Sequence, residues 1–143
     1  MQFQNTQPIF MQIVDYVCDE VLRGTLTADQ QLPSVRDLAV ELEVNPNTVM
    51  RAVERLLGAG IVYSQRGRGN FLAADAADRI RQMRRERLSS DTLPRLADEM
   101  ILLGVKPSDV ADELQALVDE RHATAAFGRH PEQAGDLNHL KSS

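Results

Sequence analysis

Residues 32–72 read LPSVRDLAVELEVNPNTVMRAVERLLGAGIVYSQRGRGNFL, and the fold turns on how this stretch is divided. Ser34 precedes a run with apolar residues at Val35, Leu38, Ala39 and Leu42, a spacing of three and four that predicts a helix. Its hydroxyl can cap that helix, and Asp37 puts negative charge in a first turn whose dipole favours it. Glu43 and Val44 supply a tight turn. Asn45 is a good capping residue and Pro46 suits a first helical position, so a second helix is expected from there to about Gly58. Val49, Ala52, Val53, Leu56 and Leu57 form its inward stripe, and Gly58 and Gly60 end it. Ile61 to Ser64 reads as a short strand, Gln65-Arg66-Gly67-Arg68-Gly69 as a turn, and Asn70-Phe71-Leu72 as the returning strand.

Upstream, Phe10, Ile13, Val14, Val17, Cys18, Val21 and Leu22 repeat at helical spacing. They predict an amphipathic helix with Pro8 in its first turn and an end near Gly24, followed by the loop TLTADQQLP. Residues 8–73 therefore read helix, helix, helix, hairpin. Downstream, Ala74 to Leu88 is helical and carries Arg79, Arg81, Arg84, Arg85 and Arg87. A further helix is expected over Thr92 to Leu103, with Leu93, Leu96, Ala97, Met100 and Ile101 inward, and Gly104 breaks it. Pro107 starts another, with Val110, Leu114, Leu117 and Val118 apolar. From about His122 the pattern fades, and 122–143 is expected to be a mobile tail. The fold class is thus mainly α with a small β-hairpin wing: a winged helix-turn-helix over 1–73 and a short helical dimerisation region over 74–121.

The 143 residues suffice for one ordinary domain, or a small domain with an appendage, and 43% hydrophobic with 26% charged residues describes a globular chain. No apolar run approaches the ~20 residues a membrane span needs. MQFQNTQPIF lacks the basic-then-apolar order of a signal peptide, so a cytoplasmic protein is the simplest expectation. Cys18 lies on an apolar helix face, where a small buried hydrophobe accounts for it better than a nucleophile does. The net charge of −5 is unevenly placed. Residues 1–88 hold 11 arginines against 11 acids, and residues 89–143 hold 5 basic residues against 10 acids. The acidity belongs to the C-terminal part, so the bulk charge says little about what the N-terminal part can bind.

Two helices joined by a three-residue turn form a helix-turn-helix, in which the second helix enters the DNA major groove. A helix N-terminus with free N–H groups docks readily on phosphate. Asn45, Asn47 and Thr48 place short hydrogen-bonding side chains at that end, and asparagine amides can pair with adenine edges or bond phosphate. Arg51, one turn further on, can reach guanine or phosphate, and Arg36 would face the same backbone. Arg66 and Arg68 give the wing positive charge for a minor groove or its phosphates, with Gly67 and Gly69 allowing close approach. Plainer accounts stand beside each residue. A solvated surface arginine explains any one of the four, Asn45 with Pro46 is first of all a helix cap, and the wing glycines can serve a hairpin alone. Order and spacing together point to double-stranded DNA.

The same stretch resembles the DNA-binding domain of the GntR family of bacterial transcription regulators. The resemblance rests on Leu32-Pro33-Ser34, Arg36, Leu38-Ala39, Leu42, Val44, Thr48-Val49, Ala52, Leu56, Gly60 and Gly67-Arg68-Gly69-Asn70-Phe71, and covers about residues 8–73. Asn45-Pro46-Asn47-Thr48-Val49 with a short C-terminal extension looks like the YtrA-like subgroup. The resemblance implies a dimeric repressor, often of transporter genes, with a helical extension for dimerisation. It implies DNA contacts at Arg36, Thr48, Arg51 and Gly69. Asn47 stands at a position that varies in the family, and Pro46 where many relatives carry arginine.

The helices at 92–103 and 107–121 have narrow apolar faces, too small to stand alone. Pairing of Leu93, Leu96, Met100, Ile101, Val110, Leu114 and Leu117 with the same residues of a second chain would cover them, and a two-fold dimer would suit a palindromic site. Packing back on the winged domain is the alternative. The Arg79–Arg87 run fits a solvated or ion-paired face better than flanking phosphate. His122, His130 and His139 lack metal-ligand spacing, so no metal or cofactor is expected, and no residue cluster argues for a small-molecule effector pocket. No phosphate loop or nucleophile–base pair suggests an enzyme. A winged helix kept as a protein-interaction module is the competing function.

Overall fold

The computed structural model describes residue 3 and residues 7–127. Helix α1 spans Ile9–Arg23, α2 Val35–Leu42 and α3 Pro46–Gly58, followed by strands β1 Val62–Gln65 and β2 Gly69–Leu72. Then come α4 Ala76–Arg87, a π-helical turn Leu88–Thr92, α5 Leu93–Leu103 and α6 Pro107–Phe127. The chain forms two compact units, one running through Arg81 and the other beginning at Gln82.

In the first unit, Pro8 sits at the cap of α1 rather than in its first turn, and its carbonyl accepts from the N–H groups of Met11 and Gln12 at 3.1 and 3.2 Å. The stripe Ile13, Val14, Val17, Cys18 and Val21 is buried, while Phe10 and Leu22 are half-buried at its edges. The two caps expected from sequence are formed. Ser34 Oγ accepts from the Asp37 N–H at 3.1 Å, and Asn45 Oδ1 accepts from the Asn47 N–H at 2.8 Å. Between them Glu43 adopts a left-handed φ of 55°, which turns the chain sharply enough to set α3 against α2. Leu38, Ala39 and Leu42 of α2 meet Val49, Ala52, Val53 and Leu56 of α3 in one core, and α1 packs on α3. Burying a leucine such as Leu38 or Leu56 stabilises by about 1.5–3 kcal/mol.

The hairpin is antiparallel, with Val62 opposite Leu72 and Gln65 opposite Gly69. Ile61, Val62 and Leu72 seal the core. The loop before α2 does more than connect. Gln31 bridges Phe71, the Leu32 N–H donates to the Asn70 carbonyl at 2.8 Å, and the Leu72 N–H donates to the Gln30 carbonyl at 2.9 Å. The start of α4 also belongs to this unit, since Ala76 and Ile80 are buried in the same core.

In the second unit the backbone stays helical from Gln82 through Leu103. Sequence alone suggests a fresh helix at Thr92; a π-turn spans the junction instead. Pro94 has no N–H, and its ring would clash with the Ser90 carbonyl in a regular α-helix. Widening the turn relieves that clash. The Leu93 N–H then donates to the Leu88 carbonyl, five residues back, and Ser90 Oγ donates to the Glu86 carbonyl at 2.7 Å. Helix α5 ends at Gly104, and Asp109 Oδ2 accepts from the Lys106 N–H at 3.0 Å where α6 begins. Helix α6 runs to Phe127, past His122, where the apolar pattern fades. The remainder of the expected tail, with His130 and His139, lies outside the described residues.

Within this single chain the C-terminal apolar residues face outward. Leu93, Leu96, Leu114 and Leu117 are exposed, Met100 and Val110 are half-buried, and Ile101 and Leu102 are 78% and 82% exposed.

Candidate nucleic-acid interface

The expected contact residues fall on the α2–turn–α3 segment and on the hairpin of the first unit. Arg36 is exposed in the first turn of α2. Asn45 is exposed, but its carbonyl oxygen is taken by the cap, which leaves its amide NH₂ as the group it could offer a ligand. Asn47 is exposed, and Arg51 lies four residues on, so the two share a face of α3. Thr48 is half-buried, and its N–H bonds the Asn45 carbonyl at 3.0 Å. Asn45 takes up the first N–H groups of α3, since Pro46 has none and those of Asn47 and Thr48 bond the Asn45 side chain and carbonyl, so what this end of the 13-residue helix offers an anion is its positive dipole.

Arg51 is exposed but lies against an aromatic ring. Its guanidinium carbon lies 4.2 Å from the centre of the Phe10 ring, on α1. Sequence reading missed this pairing, because Phe10 counted there as one more apolar position.

On the wing, Arg66 and Arg68 are exposed. Arg68 Nη1 donates to Gln65 Oε1 at 3.0 Å, and its guanidinium lies 5.5 Å from the Phe71 ring centre. Phe71 stacks on Tyr63 at 5.6 Å. The Tyr63 hydroxyl donates to Asp29 Oδ1 at 3.0 Å, and that bond to a carboxylate holds the phenol above its ordinary pKa. Gln31 ties the wing down from the other side: its Nε2 donates to the Arg68 carbonyl at 2.7 Å. Gly69 makes this approach possible. It has a φ of +119°, and a Cβ there would sit 2.9 Å from Gln31 Nε2. Gly69→Ala is therefore expected to lower unfolding free energy by more than about 1 kcal/mol in urea titration. An unchanged midpoint would show that the wing tolerates a side chain at this position.

The arginines sort by partner. Arg23, Arg79, Arg81 and Arg95 each pair with a carboxylate three or four residues before them, at 3.2, 2.8, 3.3 and 2.9 Å. Arg36, Arg51, Arg66 and Arg68 have no ion pair among the described residues. Arg55, which sequence reading passed over, is also exposed and without one, in the last turn of α3 where the helix dipole favours a cation. Among the described residues no group of three or more His, Cys, Asp or Glu could hold a metal, and no helix is long and apolar enough to cross a membrane. Cys18 is buried.

A capped helix-turn-helix closed by a basic hairpin defines the chain as a winged helix-turn-helix DNA-binding protein. The pattern of the bacterial regulatory proteins of the gntR family matches residues 11–72. The chain is 31% identical over 120 residues to the uncharacterized HTH-type transcriptional regulator YhcF of Bacillus subtilis, covering 82% of this chain and 96% of that protein. It is 37% identical over 73 residues to the HTH-type transcriptional repressor YtrA of Bacillus subtilis, covering 51% of this chain and 56% of that one. Among solved structures, a GntR family transcriptional regulator from Listeria monocytogenes superposes with a TM-score of 0.68 at 35% identity, over 80% of this chain and 98% of that one. This chain belongs to the GntR family of bacterial transcriptional regulators.

Proposed function

We propose that the chain is a homodimeric repressor that binds a palindromic operator, with the N-terminal turns of α3 in the major groove and the hairpin wing on the flanking backbone or minor groove. The observation that carries this is the set of four arginines, Arg36, Arg51, Arg66 and Arg68, exposed on the helix-turn-helix and wing with no ion pair among the described residues. Uncompensated guanidinium groups on such a scaffold suit phosphate neutralisation and bidentate reading of guanine. Asn45, Asn47 and Thr48 supply hydrogen bonds beside them, and Gly69 lets the wing backbone approach closely. Dimerisation is supported by the exposed leucines of α5 and α6, since so much apolar surface on one chain marks an interaction face. Leu93, Leu96, Met100, Ile101, Val110, Leu114 and Leu117 are assigned to that face. Repression is supported by the name of the relative YtrA, and control of transporter genes by the subgroup resemblance.

Arg51→Ala tests the reading. Fluorescence anisotropy with a bound duplex is expected to show a loss of about 1–3 kcal/mol if Arg51 reads a base, with discrimination at that base relaxed. If it touches phosphate alone, specific and non-specific binding fall together and the salt slope drops by about one. Unchanged affinity at low salt would remove Arg51 from the interface and favour a winged helix serving protein partners.

A further inference from the structure

We infer that Phe10 is a positioning residue for DNA binding: its ring holds the Arg51 guanidinium in place before DNA arrives. The inference rests on the reading of Arg51 as a DNA contact and adds a residue of a different helix to the interface. Phe10 is the second residue of α1, at the start of a helix that packs against α3. Two residues earlier Pro8 fixes the chain's entry into that helix. Phe10 is half-buried, packed against the core on one side, so the ring is anchored. Arg51 lies over it at 4.2 Å, within the range where the ring quadrupole attracts a cation.

The consequences follow from what Arg51 lacks. It has no carboxylate partner among the described residues, so its charge is not cancelled where it sits. A ring face attracts the flat side of a guanidinium and leaves the N–H edge free, and that edge is the part that bonds phosphate or guanine. A carboxylate would compete for the edge; an aromatic ring does not. An unrestrained arginine loses much of its rotamer freedom when it docks. One held over a ring has already lost part of it, and pre-ordering of this kind raises affinity without adding a contact.

The test uses the full chain and the labelled duplex pool that wild-type protein enriches from random sequence. Phe10→Leu keeps an apolar side chain and removes the ring, and Phe10→Tyr keeps the ring. Phe10→Leu is expected to bind the pool about two- to fivefold more weakly, and Phe10→Tyr to restore wild-type binding. In an Arg51→Ala background Phe10→Leu should have no further effect. In the free protein, the Arg51 side-chain protons should be shifted upfield by the ring in wild type and Phe10→Tyr, and not in Phe10→Leu. A Phe10→Leu loss that persists at full size without Arg51 would overturn the inference and make Phe10 a packing residue. So would unchanged or tighter binding by Phe10→Leu with Arg51 present. A failure of Arg51→Ala alone to weaken binding would instead overturn the reading of Arg51. Thermal melts of each variant separate a folding defect from lost positioning, and Phe10→Tyr keeps the comparison usable if Phe10→Leu unfolds.

Discussion

Leu96→Asp is expected to leave the winged unit folded, shift the chain from dimer to monomer in sedimentation velocity, and weaken binding to a two-half-site duplex by about 100-fold or more. Leu96 is 44% exposed in the single chain and lies on α5 among other outward apolar residues. A carboxylate there would be buried against the same face of a second chain. Two-fold pairing would set it among the apolar residues of that face, and burying an uncompensated charge costs several kcal/mol. The first unit does not include Leu96, so its core should be untouched. Loss of the proposed dimer would remove the tethering that makes the second half-site contact effectively intramolecular. An unchanged sedimentation profile would place the dimer contacts elsewhere or leave the protein a monomer.

Ile80→Ala is expected to destabilise the winged unit by about 2–5 kcal/mol, read from the urea midpoint. Ile80 is 1% exposed and belongs to the core built from the three helices and the hairpin. Truncation leaves a cavity where that core is closed by the first turns of α4. The loss is large against a typical total stability of about 5–15 kcal/mol. Met83→Ala, at a 44% exposed position three residues on, should change stability by less than about 0.5 kcal/mol. Equal effects from the two substitutions would mean that α4 does not complete the core.

Ile80 also marks where the sequence stops being legible. It sits between Arg79 and Arg81, and although Ala76, Ala77 and Ile80 recur at helical spacing, alanines make a weak apolar stripe beside five arginines. The helix-turn-helix was readable because its signals are local. Ser34 and Asn45 cap through bonds to residues two or three positions away, and Pro46 suits only a first turn. The hairpin was readable from the turn chemistry of Gln65 to Gly69. Contacts between distant segments were not. Gln31 meets Phe71 through one bridge, too short for an alternating pattern, and Phe10 meets Arg51 across two helices. The π-turn at Leu88–Thr92 answers to Pro94, a residue that usually signals a helix start. The extension of α6 through Ala123 and Ala125 reflects helix propensity rather than an apolar stripe.

The most direct measurement is selection of bound duplexes from a random DNA pool at about physiological salt, followed by sequencing of the enriched fraction. The proposed dimer with one recognition helix per chain predicts an inverted repeat, its half-sites separated by whole turns of the double helix, with affinity falling steeply as salt rises. Retention of DNA without enrichment of any sequence, or no retention even at low salt, would contradict it.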